Sequence, residues 1–86
     1  MKLQKYITET KIYYLSGKTD SNCNSILFFN TGSQVVSIDG IPLKPGQQLA
    51  ITGSIGEILV KQYDFIFSQV VGANNQLSII YKKYVN

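Results

Sequence analysis

The sequence has few of the residues from which enzyme and metal sites are built. It contains no histidine and one cysteine, Cys23, which excludes an internal disulfide and a structural zinc site made from Cys and His. Catalysis by acid-base or nucleophilic groups uses His, Cys, Lys or paired carboxylates. The few carboxylates are scattered along the chain: Glu9, Asp20, Asp39, Glu57 and Asp64. We therefore expect a non-enzymatic protein without catalytic residues, cofactor or metal.

Arginine, tryptophan and long apolar runs are also absent. All eight cationic side chains are lysines, and the guanidinium group that best recognises phosphate and guanine is missing, which argues against sequence-specific nucleic-acid recognition. The apolar runs are much shorter than the roughly 20 residues of a membrane-spanning helix. The basic start of the chain lacks the apolar stretch of a secretory signal. The sequence therefore predicts a protein made and folded in the cytoplasm, with no membrane partner.

The remaining composition is that of an ordinary folded domain. The chain has 86 residues, of which 44% are hydrophobic, and this length suits one domain, residues 1–86, with one modest core. Apolar residues come in short runs separated by Gly, Asn, Ser, Asp and Pro, which is typical of strands joined by turns. We expect an all-β fold, a single small antiparallel β-sandwich or barrel of about seven strands.

Three segments carry specific predictions. Residues 3–15 form a long strand segment whose polar middle predicts a bulge, a bend or a break. Residues 17–25 are almost entirely polar and predict an exposed loop containing a free thiol. Ile26-Leu27-Phe28-Phe29 is apolar on both faces, which predicts a central strand covered on two sides.

The turns and the later strands are also marked in the sequence. Asp39-Gly40 predicts a type I′ hairpin turn, and Pro42, which cannot donate a backbone hydrogen bond, predicts an edge strand. Lys44-Pro45-Gly46-Gln47 predicts a type II turn. Apolar residues alternate with others in two further strands, which predicts one buried face in each: Tyr63, Phe65 and Phe67, then Leu77, Ile79 and Tyr81.

Aromatic residues supply the candidate interface. The four phenylalanines lie in the most apolar runs and are expected in the core. Five of the six tyrosines are expected as surface rings that could form an interface: Tyr6, Tyr13, Tyr14, Tyr81 and Tyr84. Residues 3–15 and 77–85 are long and lightly charged, so at a sheet edge they would be templates for pairing with a neighbouring chain. The lysines within these segments could instead protect the edges.

The middle of the chain resembles a known group of proteins. The stretch from Asn30-Thr31-Gly32 to Lys44-Pro45-Gly46, continuing to Gly56-Glu57-Ile58, is similar to small β-rich virion proteins of bacteriophages, of the capsid-associated or decoration type. The resemblance implies a role in building or decorating a particle through contacts between β-domains. It also implies a location in the virion, or in the host cytoplasm before assembly.

Three functions remain open at this point. The favoured one is a structural or interaction protein that forms a homo-oligomer or docks on other structural proteins of an assembly. The alternative is a small β-barrel that binds single-stranded nucleic acid without sequence specificity through tyrosine and lysine. A carbohydrate-binding module is less favoured, because tryptophan and clustered carboxylates are absent.

Overall fold

The computed structural model describes residues 5–85, which form eight strands in two four-stranded antiparallel sheets. The strands are β1 (Lys5–Tyr13), β2 (Gly17–Asp20), β3 (Ser25–Asn30), β4 (Val36–Ile38), β5 (Ile41–Leu43), β6 (Gln48–Thr52), β7 (Gln62–Phe67) and β8 (Leu77–Val85). Sheet A has the order β1-β8-β3-β6, and sheet B has the order β2-β7-β4-β5. No helix that could cross a membrane is present among these residues.

The strand pairing describes one long hairpin that is rolled up. Four pairs, β1·β8, β2·β7, β3·β6 and β4·β5, follow one another from the chain ends to the tip at the β4–β5 turn. Successive pairs belong alternately to sheet A and sheet B, and the ladders β3·β8 and β4·β7 complete the sheets. This arrangement is the topology of the jelly roll, a sandwich of two Greek keys.

The core lies between the sheets and takes one face of each strand. Phe28 of β3 meets Tyr63 of β7 with ring centroids 5.2 Å apart, in an edge-to-face contact across the sandwich. The remaining core residues alternate along their strands with more exposed ones, as a half-buried strand requires: Cys23, Ile26, Val36, Ile38, Leu43, Phe65, Phe67, Leu77, Ile79 and Tyr81.

Buried polar side chains also join the two sheets. At the end of β3, the Asn30 amide nitrogen donates to the carbonyl oxygens of Gln34 and Leu43, at 2.7 and 2.9 Å. On β2 and β8, the hydroxyls of Thr19 and Tyr81 are hydrogen-bonded across the sandwich. No buried side-chain nitrogen or oxygen among the described residues lacks a partner. Hydrogen bonds as well as apolar contacts therefore hold the two sheets together.

Several predictions from the sequence are confirmed. The fold is an antiparallel β-sandwich, and Asp39 and Gly40 have φ of 49° and 85°, which is the conformation of a type I′ turn. Pro42 lies on β5, an edge strand of sheet B. The Gln47 N–H donates to the Lys44 carbonyl at 3.0 Å, and φ of Gly46 is 83°, as a type II turn requires.

Other predictions are wrong. β2 occupies the first part of the expected loop, where pairing with β7 and burial of Thr19 compensate for the low strand propensity of Gly, Lys and Asp, so the described residues form eight strands where about seven are expected. Cys23 is buried and is not an exposed loop thiol. β1 has a continuous register without bulge or break, since β8 pairs with every residue from Lys5 to Tyr13; residues 3 and 4 lie outside the described range.

Ile26-Leu27-Phe28-Phe29 is central in sheet A, as expected, but it is covered on one side only. Ile26 and Phe28 are buried in the core, whereas Leu27 and Phe29 point to the outer face of the sheet and are half-buried. The apolar character of both faces therefore has a different cause from the predicted one, and the outer side chains form part of a surface.

Candidate interaction surface

The carboxylates of the described residues have local structural contacts. No group of three or more His, Cys, Asp or Glu that could hold a metal ion is present in residues 5–85. Asp39 accepts a hydrogen bond from the Asp64 backbone N–H at 2.9 Å and pairs with Lys61 at 3.0 Å. These two contacts, the backbone one first, lower the pKa of Asp39 below its ordinary value. Glu57 accepts from the Ser54 N–H at 2.6 Å and so closes a turn.

The outer faces of the two sheets differ in chemistry. That of sheet B is mostly polar, and on it Lys18 pairs with Asp64 across β2 and β7 at 3.7 Å. That of sheet A carries a group of aliphatic and aromatic side chains, here called the apolar face, which is formed by Ile12, Leu27, Phe29, Ala50 and Ile80. An antiparallel sheet commonly has one solvated polar face, so this surface departs from the usual pattern.

The apolar face has side chains on all four strands of sheet A, with Ser78 lying between Phe29 and Ile12. Leu27 is the centre, because it lies opposite Ile80 of β8 on one side and Ala50 of β6 on the other. Phe29 is two residues farther along the same face of β3, and Ile12 extends the face onto β1 with 48% of its surface exposed. Leu27, Phe29 and Ile80 are half-buried, and Ile12 and Ala50 are exposed. Apolar side chains gathered on one accessible sheet face mark a contact site more often than scattered residues do.

β1 is the long free edge of the sandwich. Its only ladder partner in the described chain is β8, so the backbone groups on its other side are available for pairing. The other edges are shorter: β6 has 5 residues, β2 has 4, and β5 has 3 including Pro42, whereas β1 has 9. β1 contains no proline and no glycine.

Charged side chains collect on the inner side of β1. Glu9 lies 3.6 Å from the Lys11 ammonium and 3.4 Å from that of Lys83 on β8. The side chains of Glu9 and Lys11 are 39% and 49% exposed, although they lie on the side of sheet A that faces the core. An ion pair at this exposure contributes little to stability, but it gives the edge a definite charge pattern.

The five predicted surface tyrosines occupy four different environments. Tyr81 is 1% exposed, so its prediction as a surface ring is wrong, and burial raises its pKa to about 12. Tyr13 is half-buried and packs on Phe65 with ring centroids 4.7 Å apart. Tyr14 is exposed just beyond the end of β1. Whether each tyrosine is buried or exposed depends on which residues of β1 and β8 face the core. The sequence does not show that register.

Tyr6 and Tyr84 are the pair that the fold brings together. They lie directly opposite each other in the β1·β8 ladder, on the outer side of sheet A. Tyr6 is exposed and has the Lys82 ammonium 4.2 Å from its ring centroid. The Tyr84 hydroxyl accepts a hydrogen bond from the Gly56 N–H at 2.8 Å. This end of sheet A is therefore both aromatic and basic.

Sequence reasoning did not identify the apolar face. One signal was present, because Ile80 interrupts the polar side of the alternating strand at residues 77–85. The second is the apolar run at residues 26–29, in which Leu27 and Phe29 lie on the outer face of the sheet. The register that places Leu27 beside Ile80 and Ala50 is a property of the folded sheet.

Fold and surface together define a small jelly-roll domain whose most distinctive exposed features are an apolar sheet face and a long edge strand. No protein-family model matches the chain, and comparisons with curated proteins and with solved structures also find no match.

Proposed function

We propose that this chain is a non-enzymatic structural protein that self-associates, or docks on a larger assembly, as a virion-associated component. The observation that carries the proposal is the apolar face, which lies on the outside of sheet A next to the free edge of β1. Its side chains contribute nothing to the core between the sheets. A surface of this kind acts by contact and needs no reactive group.

The energetic argument rests on the small size of the domain. Covering apolar surface stabilises a protein by about 25 cal/mol per Å², and a domain of this length without disulfide or metal often has only a few kcal/mol of stability. Burial of Leu27, Phe29 and Ile80 against another chain would therefore add substantially to the stability of the folded state. Assembly and folding would support each other.

The virion setting is supported by two associations. Jelly rolls occur in viral capsid domains as well as in lectins and cupins, and shared fold does not by itself define function. The stretch from Asn30 to Gly46 resembles small β-rich phage virion proteins, and in the structure it contains β4, β5 and their turns. Both associations agree with a protein that forms part of a particle.

The proposal is tested by placing a charge on the apolar face. Ile80→Lys should lower the average mass measured by light scattering at micromolar concentration, because an ammonium group would be desolvated on association. The matched control is Ile66→Lys, which makes the same change on the outer face of sheet B, where Ile66 is 61% exposed. Circular dichroism melting establishes that both variants remain folded. A wild-type protein that is strictly monomeric and retains no structural partner would contradict the proposal.

A second candidate function is supported by the aromatic and basic end of sheet A. Tyr6 and Tyr84 could stack on bases, and Lys82 lies beside them. This function predicts retention on a single-stranded oligonucleotide column at low salt, with steep loss as salt increases. Lys82→Ala should weaken retention more than Lys44→Ala, which removes one charge from the turn after β5. Passage of the wild type through the column at low salt would exclude this candidate.

A further inference from the structure

The edge of β1 has a sequence that is complementary to itself. One side of the strand presents Lys5, Ile7, Glu9, Lys11 and Tyr13 towards the inside of the sandwich, and the other presents Tyr6, Thr8, Thr10 and Ile12 on the outer face of sheet A. Two such strands can pair in antiparallel orientation about a twofold axis, the commonest symmetry of protein dimers. The pairing then depends on which residue lies on the axis.

We propose that two copies of this chain pair through β1 with Thr10 on the twofold axis, so that Glu9 of each copy lies opposite Lys11 of the other. The partner that the edge fits is a second copy of this chain. The inference rests on the proposed function, since it specifies how self-association occurs. It joins two four-stranded sheets A into one continuous sheet.

The charges select this register over its neighbours. With Glu9 on the axis, the two Glu9 carboxylates would face each other, and with Lys11 on the axis the two ammonium groups would do so. With Thr8 on the axis, Lys5 would lie opposite Lys11. Like charges directly opposite one another in a ladder are destabilising, and opposite charges are stabilising. With Ile7 on the axis, Glu9 would lie opposite Lys5, but only residues 5–9 of β1 would pair, whereas the Thr10 axis pairs residues 7–13. The Thr10 axis therefore gives two ion pairs, no like-charge pair and the longer ladder.

The other pairs of the Thr10 register are also favourable. Thr10 meets Thr10 on the axis, Thr8 meets Ile12, and Ile7 meets Tyr13, so threonine, aliphatic and aromatic residues lie opposite each other as they do in stable ladders. In this register both residues of each pair lie on the same side of the joined sheet. A register shifted by one residue would instead place inner residues of one copy opposite outer residues of the other. The existing contacts between Glu9, Lys11 and Lys83 hold these charges near the required positions.

The pairing also determines where the apolar faces of the two copies lie relative to each other. The twofold axis is perpendicular to the joined sheet, so the apolar faces of both copies lie on the same side. The dimer would therefore present one extended apolar surface, with Ile12 of each copy near its centre. Such a unit could lie flat on a larger assembly, which links the edge to the apolar face.

Disulfide cross-linking at the axis tests the register. In the Thr10→Cys variant, the two introduced thiols would lie directly opposite each other, within the Cα–Cα range of 4.4–6.8 Å that disulfides require. In the Thr8→Cys control, on the same face of the same strand, the two thiols would be four residues apart along the ladder, about 14 Å at the rise of a strand. Wild type is the control for Cys23, which is buried.

The expected result on a non-reducing gel after mild oxidation is a cross-linked dimer for Thr10→Cys, with Thr8→Cys and wild type remaining monomeric. Efficient cross-linking of Thr8→Cys but not of Thr10→Cys would overturn the register. If light scattering shows association of the wild type and neither variant cross-links, the edge proposal is wrong while the proposed function stands. A strictly monomeric wild type would contradict both.

A charge reversal gives an independent measurement. Lys11→Glu would turn both intermolecular pairs into repulsions, and the dissociation constant should rise about tenfold, which corresponds to about 0.7 kcal/mol for each of the two pairs. Lys18→Glu changes the protein charge by the same amount on sheet B and should leave the constant about unchanged. Equal effects of the two variants would show that net charge alone governs association, and would overturn the proposed pairing.

Discussion

Replacement of Asn30 by alanine should destabilise the fold far more than its small change in volume suggests. Asn30 is fully buried at the end of β3. Its amide nitrogen donates hydrogen bonds to the carbonyl oxygens of Gln34 and Leu43, and its side-chain oxygen accepts a hydrogen bond from the Gly32 N–H at 3.1 Å. Each buried polar group left without a partner costs about 1–3 kcal/mol. The Gly32 N–H also donates to the Gln76 carbonyl oxygen at 3.0 Å, so the Gln34 and Leu43 carbonyl oxygens are the two groups that lose a donor. We therefore expect a loss of about 2–6 kcal/mol, which is comparable to the whole stability of many small domains.

The assay is thermal or urea unfolding followed by circular dichroism. At about 4–8 °C per kcal/mol for a domain of this length, the midpoint should fall by roughly 8 °C or more. Asn74→Ala is the matched control, because Asn74 is exposed and its side chain makes no hydrogen bond within the described residues. Asn30→Asp keeps the size but removes both donors, and should recover part of the loss at acidic pH, where a protonated carboxyl can donate. A change below 1 kcal/mol for Asn30→Ala would refute the reasoning.

Three further predictions concern single groups. Burial raises the pKa of Cys23, so its thiol should resist iodoacetamide at pH 8 in the folded protein and react on unfolding in urea. The pKa of Asp39 is lowered by a hydrogen bond from the β7 backbone. The Asp39 carboxylate should therefore stabilise the fold above pH 3.8, the ordinary pKa of the group, and this stabilisation should be lost as the pH falls through the lower pKa of the folded state. Asp39→Asn should flatten this part of the curve of stability against pH. A Cβ on Gly32 would overlap the Asn74 carbonyl oxygen, whereas one on Gly17 would make ordinary contacts; Gly32→Ala should thus lower the melting temperature by several degrees and Gly17→Ala should not.

The parts of the fold that the sequence predicted are those with local causes. A type I′ turn requires positive φ at two residues, which Asp39-Gly40 accepts, so the hairpin could be located without knowing the rest of the chain. Period-two alternation likewise located the buried faces of β7 and β8. These signals lie within a few residues of the element that they specify, and no tertiary information is needed to interpret them.

The parts that were missed have causes distant in the chain. β2 consists of Gly, Lys, Thr and Asp, of which only Thr favours strands. It is a strand because β7 pairs with it and because Thr19 meets the Tyr81 hydroxyl. The burial of Asn30 depends on Leu43 of the opposite sheet. The sequence shows Asn30 as the first residue of a turn, and only the rolled hairpin brings its acceptors to it.

The candidate surface was predicted in part for the same reason. The long terminal segments were identified as edge candidates, and β1 is an edge, but β8 is the second strand of sheet A and is paired on both sides. The tyrosines divide according to the register of these two strands. Tyr6 faces outwards and Tyr81 inwards because the sandwich has one core side, and the sequence alone does not indicate on which side each residue lies.

The charges on β1 decide between protection of the edge and recognition through it. Natural edge strands avoid aggregation by charges that point inwards and would be buried or opposed by an incoming strand. The charged residues of β1 would disfavour pairing with most strands, because an arbitrary partner offers no charges that match Lys5, Glu9 and Lys11. A second β1 in the Thr10 register is the exception, since it supplies Lys11 for each Glu9. The same residues therefore disfavour indiscriminate pairing and favour one symmetric partner, which is the combination that an ordered assembly requires.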